Sequence, residues 1–227
     1  MGKREYYSRK DIARTYDSIR FGGRSGKYVD KREIEIVKRL IGDIEGKILD
    51  VATGTGRFAI SVDNEKRMVV ASDFSLEMLR QAKKKKPLYY IRADAFNLPF
   101  PDNCFNVSMS LRFLLHYEDF ESILSELVRV TCPGGYIIFD TYAWSPQTSP
   151  IFSKTFDGKV YIHEDRDIIE FAKKNNIIFE KKEKAFLFSP TIYRFIPYPG
   201  IIFLHWLESR ISDGYRVRTF WKFKKLE

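Results

Sequence analysis

The chain has 227 residues, 44% hydrophobic and 30% charged, with a formal net charge of +9. That balance excludes a fibrous, low-complexity or disulfide-dense chain and fits one soluble globular domain with a substantial core. The basic surplus admits nucleic acid, an anionic membrane surface, an acidic substrate or a merely lysine-rich surface, and no apolar run approaches the ~20 residues that span a bilayer.

The N-terminus, Met-Gly-Lys-Arg-Glu-Tyr-Tyr, is polar and shows no secretory signal, so the cytoplasm is the expected compartment. Ser8 to Ile19 reads as a short helix capped by Ser8 or Asp11. Gly22-Gly23-Arg24-Ser25-Gly26 reads as a flexible break. A second helix is expected from Asp30 to Ile41, with Ile34, Val37, Leu40 and Ile41 on one face. Gly42 and Gly46 bracket the turn that follows. In Lys47 to Ala59, the run Ile48, Leu49, Val51 suits a buried parallel strand. The loop Ala52-Thr53-Gly54-Thr55-Gly56 comes next, and a helix begins near Arg57. Such a corner lets a ligand approach the backbone and favours anionic atoms at the helix start.

Strands and helices then alternate. Met68 to Ser72 is a strand ending at Asp73, and Ser75 caps a helix that fades into Lys83–Lys86. Leu88 to Arg92 is a third strand, Asn97 to Asn103 a turn-rich loop, and Phe105 to Leu111 a fourth strand. Glu118 to Thr131 is an amphipathic helix, broken by Pro133-Gly134-Gly135 before a fifth strand from Tyr136 to Thr141. After Trp144 the pattern loosens. A helix is expected from Glu164 to Lys174, a strand from Ile177 to Phe188, and an irregular aromatic stretch from Ser189 to Gly214. The last strand, Tyr215 to Phe223, places Tyr215, Val217, Thr219 and Trp221 on one face and Arg216, Arg218, Phe220 and Lys222 on the other. The expectation is an α/β, Rossmann-like, doubly wound, seven-stranded sheet, mostly parallel with an antiparallel last strand. Residues 1–227 are read as a single domain, with 1–46 as an N-terminal helical cap and 186–214 as an aromatic-rich insertion serving as substrate lid. Cys104 and Cys132 lack metal-like spacing, so neither a disulfide framework nor a metal is expected.

Gly54-x-Gly56-x-x-Ala59, with Asp73 nineteen residues beyond Gly54, satisfies a fingerprint that NAD, FAD and S-adenosylmethionine sites share. Asp50 before the glycines tends to repel a pyrophosphate and suits a cofactor carrying an ammonium group. Asp94-Ala95 adds a third acidic position along the same sheet edge.

From Lys47 to Asp140 the chain resembles the class I S-adenosylmethionine-dependent methyltransferases, in the small-molecule group that includes the ubiquinone/menaquinone biosynthesis enzymes. The resemblance is carried by Leu49-Asp50-Val51-Ala52-Thr53-Gly54-Thr55-Gly56, Ser72-Asp73-Phe74-Ser75-Leu76-Glu77-Met78-Leu79, Ala93-Asp94-Ala95, Leu98-Pro99-Phe100, and Leu127-Val128-Arg129-Val130 before Pro133-Gly134-Gly135. Departures are Ala52 for the first loop glycine, Asn106 for an aspartate, and Thr131-Cys132 for Leu-Lys. The resemblance implies that Ala52, Thr53, Gly54 and Gly56 approach the methionyl and ribose moieties and that Asp50 helps hold the amino end. It also implies that Asp73 binds the ribose hydroxyls, that Phe74 and Met78 lie against the adenine, and that Asp94 accepts from the adenine amino group beside Ala95. Ser110 and Leu111 would floor the sulfonium, with Tyr16 nearby.

Methyl transfer from a sulfonium needs alignment above all, and a base only for a poor nucleophile. No catalytic residue is therefore assigned, and His116, Arg112 and Tyr16 are the candidates. Arg112 can pair an acidic substrate group or, the reading preferred, an internal carboxylate. His163 and His205 read as helix-start and packing histidines, and Arg20 and Arg24 as closing residues or solvated charges. The acceptor is expected to be a small or lipid-like molecule. RNA is the alternative, on the strength of the net charge and Lys83–Lys86, while no Asn-Pro-Pro-Tyr-like segment supports action on DNA bases. A non-catalytic S-adenosylmethionine binder is a further alternative. The aromatic insertion allows a peripheral membrane contact or a dimer contact, so monomer and homodimer both stay open.

Overall fold

The computed structural model describes residues 2–143 and 160–227; the loosened stretch after Trp144 begins outside them. Three helices precede the sheet: α1 (Lys3–Tyr7), α2 (Lys10–Phe21) and α3 (Gly23–Ile41). Strands and helices then alternate as β1 (Gly46–Val51), α4 (Arg57–Val62), β2 (Arg67–Asp73), α5 (Leu76–Lys85), β3 (Tyr89–Arg92), β4 (Phe105–Ser110), α6 (Phe120–Val130) and β5 (Thr131–Tyr142). The remainder is α7 (Asp165–Lys174), β6 (Ile177–Ala185), α8 (Pro190–Tyr193), α9 (Tyr198–Glu208) and β7 (Arg218–Lys225). The seven strands lie in the order β3-β2-β1-β4-β5-β7-β6. Strands β1 to β5 pair in parallel, and β7 is antiparallel to both β5 and β6.

Pleating explains why the central strand β1 is apolar at successive positions such as Ile48 and Leu49. Ile48 packs under Ile36, Val37 and Leu40 of α3, while its neighbour Leu49 packs under Leu124 and Leu127 of α6. Alternate residues thus feed two cores, one on each sheet face, as a doubly wound fold requires. The chain order reverses beside β1, between β2 and β4, so the carboxyl end of β1 lies at a switch point where ligands bind in such sheets. Asn106, the departure from aspartate, accepts the Lys47 amide at 2.8 Å, a task an amide oxygen performs as well as a carboxylate.

Several expectations are corrected. The glycine-rich break at 22–26 is continuous helix apart from Gly22, and α3 begins seven residues earlier than expected. Gly26 is needed there for contact: a Cβ would sit 2.5 Å from the Phe21 carbonyl carbon of α2. Pro133-Gly134-Gly135 lies inside β5, at an irregularity where the β4 register shifts between Phe105 and Val107. The stretch 189–214 holds two helices, with α8 started by Pro190 and α9 following Pro197. Strand β7 starts at Arg218, so Val217 joins the core of Phe220 while Trp221 joins the opposite one. Of the N-terminal segment, α3 is a core helix against the sheet; only α1 and α2 lie over its carboxyl edge.

Candidate active site

At the end of β1 the chain turns through Ala52 and Gly54, both at positive φ (56° and 57°). A Cβ on Gly54 would meet nothing within 4 Å, so that position looks into open space. Gly56 also has positive φ, 80°, but a Cβ there would strike Ala82 of α5 at 2.9 Å. Its job is to let α4 and α5 approach, not to admit a ligand.

Asp50 holds this turn from behind. Its Oδ2 accepts from Thr53 Oγ1 at 2.6 Å and from the Ala59 amide at 3.1 Å. Burial pushes the Asp50 carboxyl up to about 7, against the pull of those two bonds. The carboxylate thus takes up a donor at the start of α4, and the helix start expected to favour an anion is capped from within the protein. Asp73, at the end of β2, accepts from the Gly54 amide and the Ser75 amide, each at 2.8 Å. Burial raises its carboxyl and the two amides oppose that. Asp94, beyond β3, accepts from Phe96 N at 3.1 Å and pairs with Arg4 of α1 at 2.7 Å.

These groups border a cleft of about 950 Å³ including its open mouth. Of the residues expected from sequence, Ala52, Thr53, Gly54, Asp73, Phe74 and Met78 line it, and so do Asp94, Ala95, Leu111, Tyr16, Arg112 and His116. Asp50, Gly56 and Ser110 do not: the first two support the turn, and Ser110 Oγ donates to Val51 O at 3.1 Å inside the sheet. Helix α1 roofs the cleft through Lys3, Arg4 and Tyr7. The Arg4 guanidinium lies 4.9 Å from the Phe74 ring and 5.6 Å from the Phe96 ring. None of these three residues belongs to a motif; the Tyr6-Tyr7 pair is the signal in the sequence that this polar terminus packs.

A smaller inner chamber adjoins the cleft, sharing Tyr7, Tyr16, Arg112 and His116, and is completed by Arg20, Leu115, Tyr142, Val160 and the α8 entry Ser189–Thr191. Ser189 Oγ is buried with no hydrogen-bond partner among the described residues. Burial, then Lys3, Arg20 and Arg112, hold His116 well below its ordinary value, so its ring is neutral. Lys3 Nζ lies 3.0 Å from His116 Nδ1. A charged Lys3 donating there leaves the ring proton on Nε2, which makes that nitrogen a donor rather than a base. Burial lowers Lys3 itself to about 8.

Arg112 takes the internal pairing. It bonds Glu33 at 2.8 Å, and its own amide donates to Asp140 at 2.5 Å. Glu33 also pairs with Arg57 and Arg218, and Arg218 with Asp140; Glu33, Asp140 and Arg218 are fully buried. Burial alone would raise Glu33, but Arg218, Arg112 and Arg57 outweigh it and hold the carboxyl far below its usual range. With Asp30 on Arg57, three cations face three carboxylates. His163 is buried against Phe120, its Nε2 3.2 Å from Leu114 O, and His205 rests on Tyr28; neither lines the cleft or the inner chamber. In the lysine run, Lys85 pairs with Asp17 and donates to Thr55 O, and Lys86 pairs with Asp63, so half the run is structural.

Helices α8 and α9 pack against α3, through Ser25 Oγ on Ile196 O at 2.9 Å and Arg32 on Glu208 at 2.6 Å. The aromatic core of the insertion therefore lies outside the cleft, and only Ser189–Thr191 reach the inner chamber.

Residues 49–139 match the family model of a methyltransferase domain. A demethylmenaquinone methyltransferase of Paenarthrobacter aurescens is 34% identical over 134 residues, covering 59% of this chain and 53% of that protein. A malonyl-[acyl-carrier protein] O-methyltransferase of Buchnera aphidicola is 42% identical over 97 residues, covering 42% of this chain and 39% of that one. The chain thus spans about half the length, or less, of these curated relatives. Among solved structures, the magnesium protoporphyrin IX methyltransferase of Synechocystis with bound SAH superposes at TM-score 0.69 and 14% identity, covering 98% of this chain and 97% of that one. That likeness is one of fold.

Proposed function

We propose that this chain, whose residues 49–139 match the model of a methyltransferase domain, is a class I S-adenosylmethionine-dependent methyltransferase that transfers the methyl group to a small, lipid-like acceptor by in-line displacement. The observation that carries the reading is one cleft bordered by Gly54, Asp73 and Asp94 that shares Tyr16, Arg112 and His116 with a second chamber. It provides two adjoining spaces, one for a donor and one for an acceptor.

When bound, S-adenosylmethionine supplies a methyl group on a sulfonium whose departure leaves a neutral thioether. The residues present fit it: open space at Gly54 for the methionyl end, the remaining lone pairs of Asp73 for the ribose hydroxyls, and Phe74, Met78 and Ala95 for the adenine. Asp94 would accept from the adenine amino group. Asp50 acts at one remove, by holding Thr53 and the turn. Leu111 and Tyr16 border the point where the two spaces meet. In the inner chamber, neutral His116 and the hydroxyl of Ser189 orient an acceptor oxygen, and apolar Leu115 and Val160 exclude water. Alignment carries most of the rate, and no described histidine is arranged as a free base. The lipid-like acceptor follows the relatives, named for demethylmenaquinone and malonyl-[acyl-carrier protein]. We assign the chain to one domain. Its compartment is proposed to be the cytoplasm. Separately, no described helix is long and apolar enough to cross a membrane.

The test is incubation with methyl-labelled S-adenosylmethionine and a fractionated cell extract. Label is expected in the lipid fraction together with S-adenosylhomocysteine, and Gly54→Val, which places a branched side chain at positive φ in the open space, abolishes both. S-adenosylmethionine binding with no product from any fraction would leave a non-catalytic binder instead, and label in RNA would replace the acceptor.

A further inference from the structure

Helix α9 is apolar on both of its long faces. Inward, Ile201 is buried and Leu204 packs on the core beneath α3. Outward, Ile202, Phe203 and Trp206 stand 54%, 58% and 49% exposed, continued by Phe195 at 70% just ahead of the helix. Positions 202, 203 and 206 share one helical stripe, and the Phe203 and Trp206 rings stack at 5.7 Å. An apolar face of this kind marks an interaction surface.

The face cannot relax inward, because the helix is anchored. Glu208 is buried against Arg32 and accepts from the Phe186 amide at 3.1 Å, and Arg216 donates to the Glu208 carbonyl at 3.0 Å. With 11 residues, α9 is about 16 Å long, too short to span a bilayer and long enough to lie in its surface.

The rim decides the occupant. Arg24 and Lys27 of α3 border a shallow trough with Tyr198 and His205 of α9. Arg194 stands exposed before the helix, and Arg210 after it lays its guanidinium 4.0 Å over the Trp206 ring. That is the posture of a cation covering apolar surface while keeping its charge in water. The acidic groups nearby are already engaged: Glu35 with Lys31, Glu208 with Arg32, Asp213 with Arg216. Two copies meeting through this face would bring the four cations of each rim together, whereas an anionic leaflet is attracted by them.

We propose that the outward face of α9, ringed by Arg24, Lys27, Arg194 and Arg210, docks the protein on the surface of an anionic lipid bilayer. The α8 entry at Ser189–Thr191 lines the inner chamber and lies seven residues ahead of α9 in the chain; that a docked chain draws its acceptor from the leaflet is the one step that rests on the methyltransferase reading. The docking stands on its own.

The test is co-sedimentation of the full chain with phosphatidylcholine vesicles, with and without phosphatidylglycerol. Binding is expected to anionic vesicles with a blue shift of tryptophan emission, and to be roughly tenfold or more weaker on neutral vesicles or in high salt. Phe203→Ser with Trp206→Ser abolishes it, and so does Arg24→Glu with Lys27→Glu; all four positions are exposed, and unchanged thermal unfolding of each variant confirms the fold. No binding to anionic vesicles, or undiminished binding by the serine pair, overturns the proposal. A concentration-dependent dimer that the serine pair dissolves, without vesicle binding, assigns the face to a second copy and overturns it as well. Methyl transfer to an acceptor dispersed in detergent, measured separately, keeps failure of docking distinct from failure of the enzymatic reading.

Discussion

Around Gly54, the bonds that shape the cleft join residues no more than nineteen positions apart: Thr53 and Ala59 to Asp50, Gly54 and Ser75 to Asp73. Around Arg112, on the wall of the same cleft, they join residues 79 to 185 positions apart: Arg112 and Arg218 to Glu33, Lys3 to His116. The first region is backbone held by two carboxylates. The second is side chains held by charge. A backbone corner changes little when its neighbours change, whereas a charge cluster in a dry interior fails as a unit when one member is lost. A donor shared by a whole family suits the first construction, and an acceptor peculiar to one member suits the second.

The comparison breaks most sharply at Glu33. Glu33→Gln keeps the shape and removes the charge that faces Arg57, Arg112 and Arg218, leaving three buried cations to two carboxylates. The expected loss is about 3–5 kcal/mol, read from urea unfolding near neutral pH. Glu33 is held below its ordinary value of 4.5, so its contribution is complete above that pH and is lost as pH falls toward the folded value. The gap between wild type and variant should therefore close in acid. A gap below about 1 kcal/mol at pH 7 would mean that the cluster is dispensable and the two regions are alike.

The same contrast decides what could be read from the sequence. Asp50, Gly54, Asp73 and Asp94 follow successive strands at fixed spacing, so the edge of the cleft was legible. Spacing gives the strand end but not which way the Asp50 carboxylate faces, and the structure turns its Oδ2 to Thr53 and the Ala59 amide behind the turn. Arg218 was read as one face of a strand with no hint that it is fully buried; its partner Glu33 lies on α3, and nothing local links them. The glycines at 22–26 read as a break because their local propensity is for turns, yet Gly26 serves the contact of α2 with α3. The helices of 189–214 were hidden by prolines that start helices as well as end them.

On the other side of the comparison, Asp73→Ala tests whether the backbone corner acts alone. It removes the acceptor of the Gly54 and Ser75 amides and, on the proposed reading, a charged bond to the ribose. S-adenosylmethionine affinity should fall by about 1–3 kcal/mol, roughly five- to 150-fold in Kd by calorimetry. Acceptor affinity should stay unchanged if the two regions are built independently; a parallel loss of both would couple them.

The smallest expected effect is at Arg4, and its sign is the informative part. Its guanidinium lies over Phe74 and beside Phe96 and pairs with Asp94, the positions proposed for the adenine ring and its amino group. The Arg4 and Asp94 side chains are 42% and 34% exposed, so solvent screens their pair and it contributes at most about 1 kcal/mol. If Arg4 fills the adenine place and must withdraw, Arg4→Ala removes a competitor. Cofactor affinity then tightens by up to about fivefold, and Asp94→Asn, which weakens the same pair but also the adenine contact, does not reproduce it. If α1 instead closes onto a bound adenine, Arg4 stacks on it and Arg4→Ala loosens binding. Tightening would make the N-terminal helix a plug that the donor displaces; loosening would make it part of the donor site, carried by residues forty-odd positions ahead of the corner that the sequence motif marks.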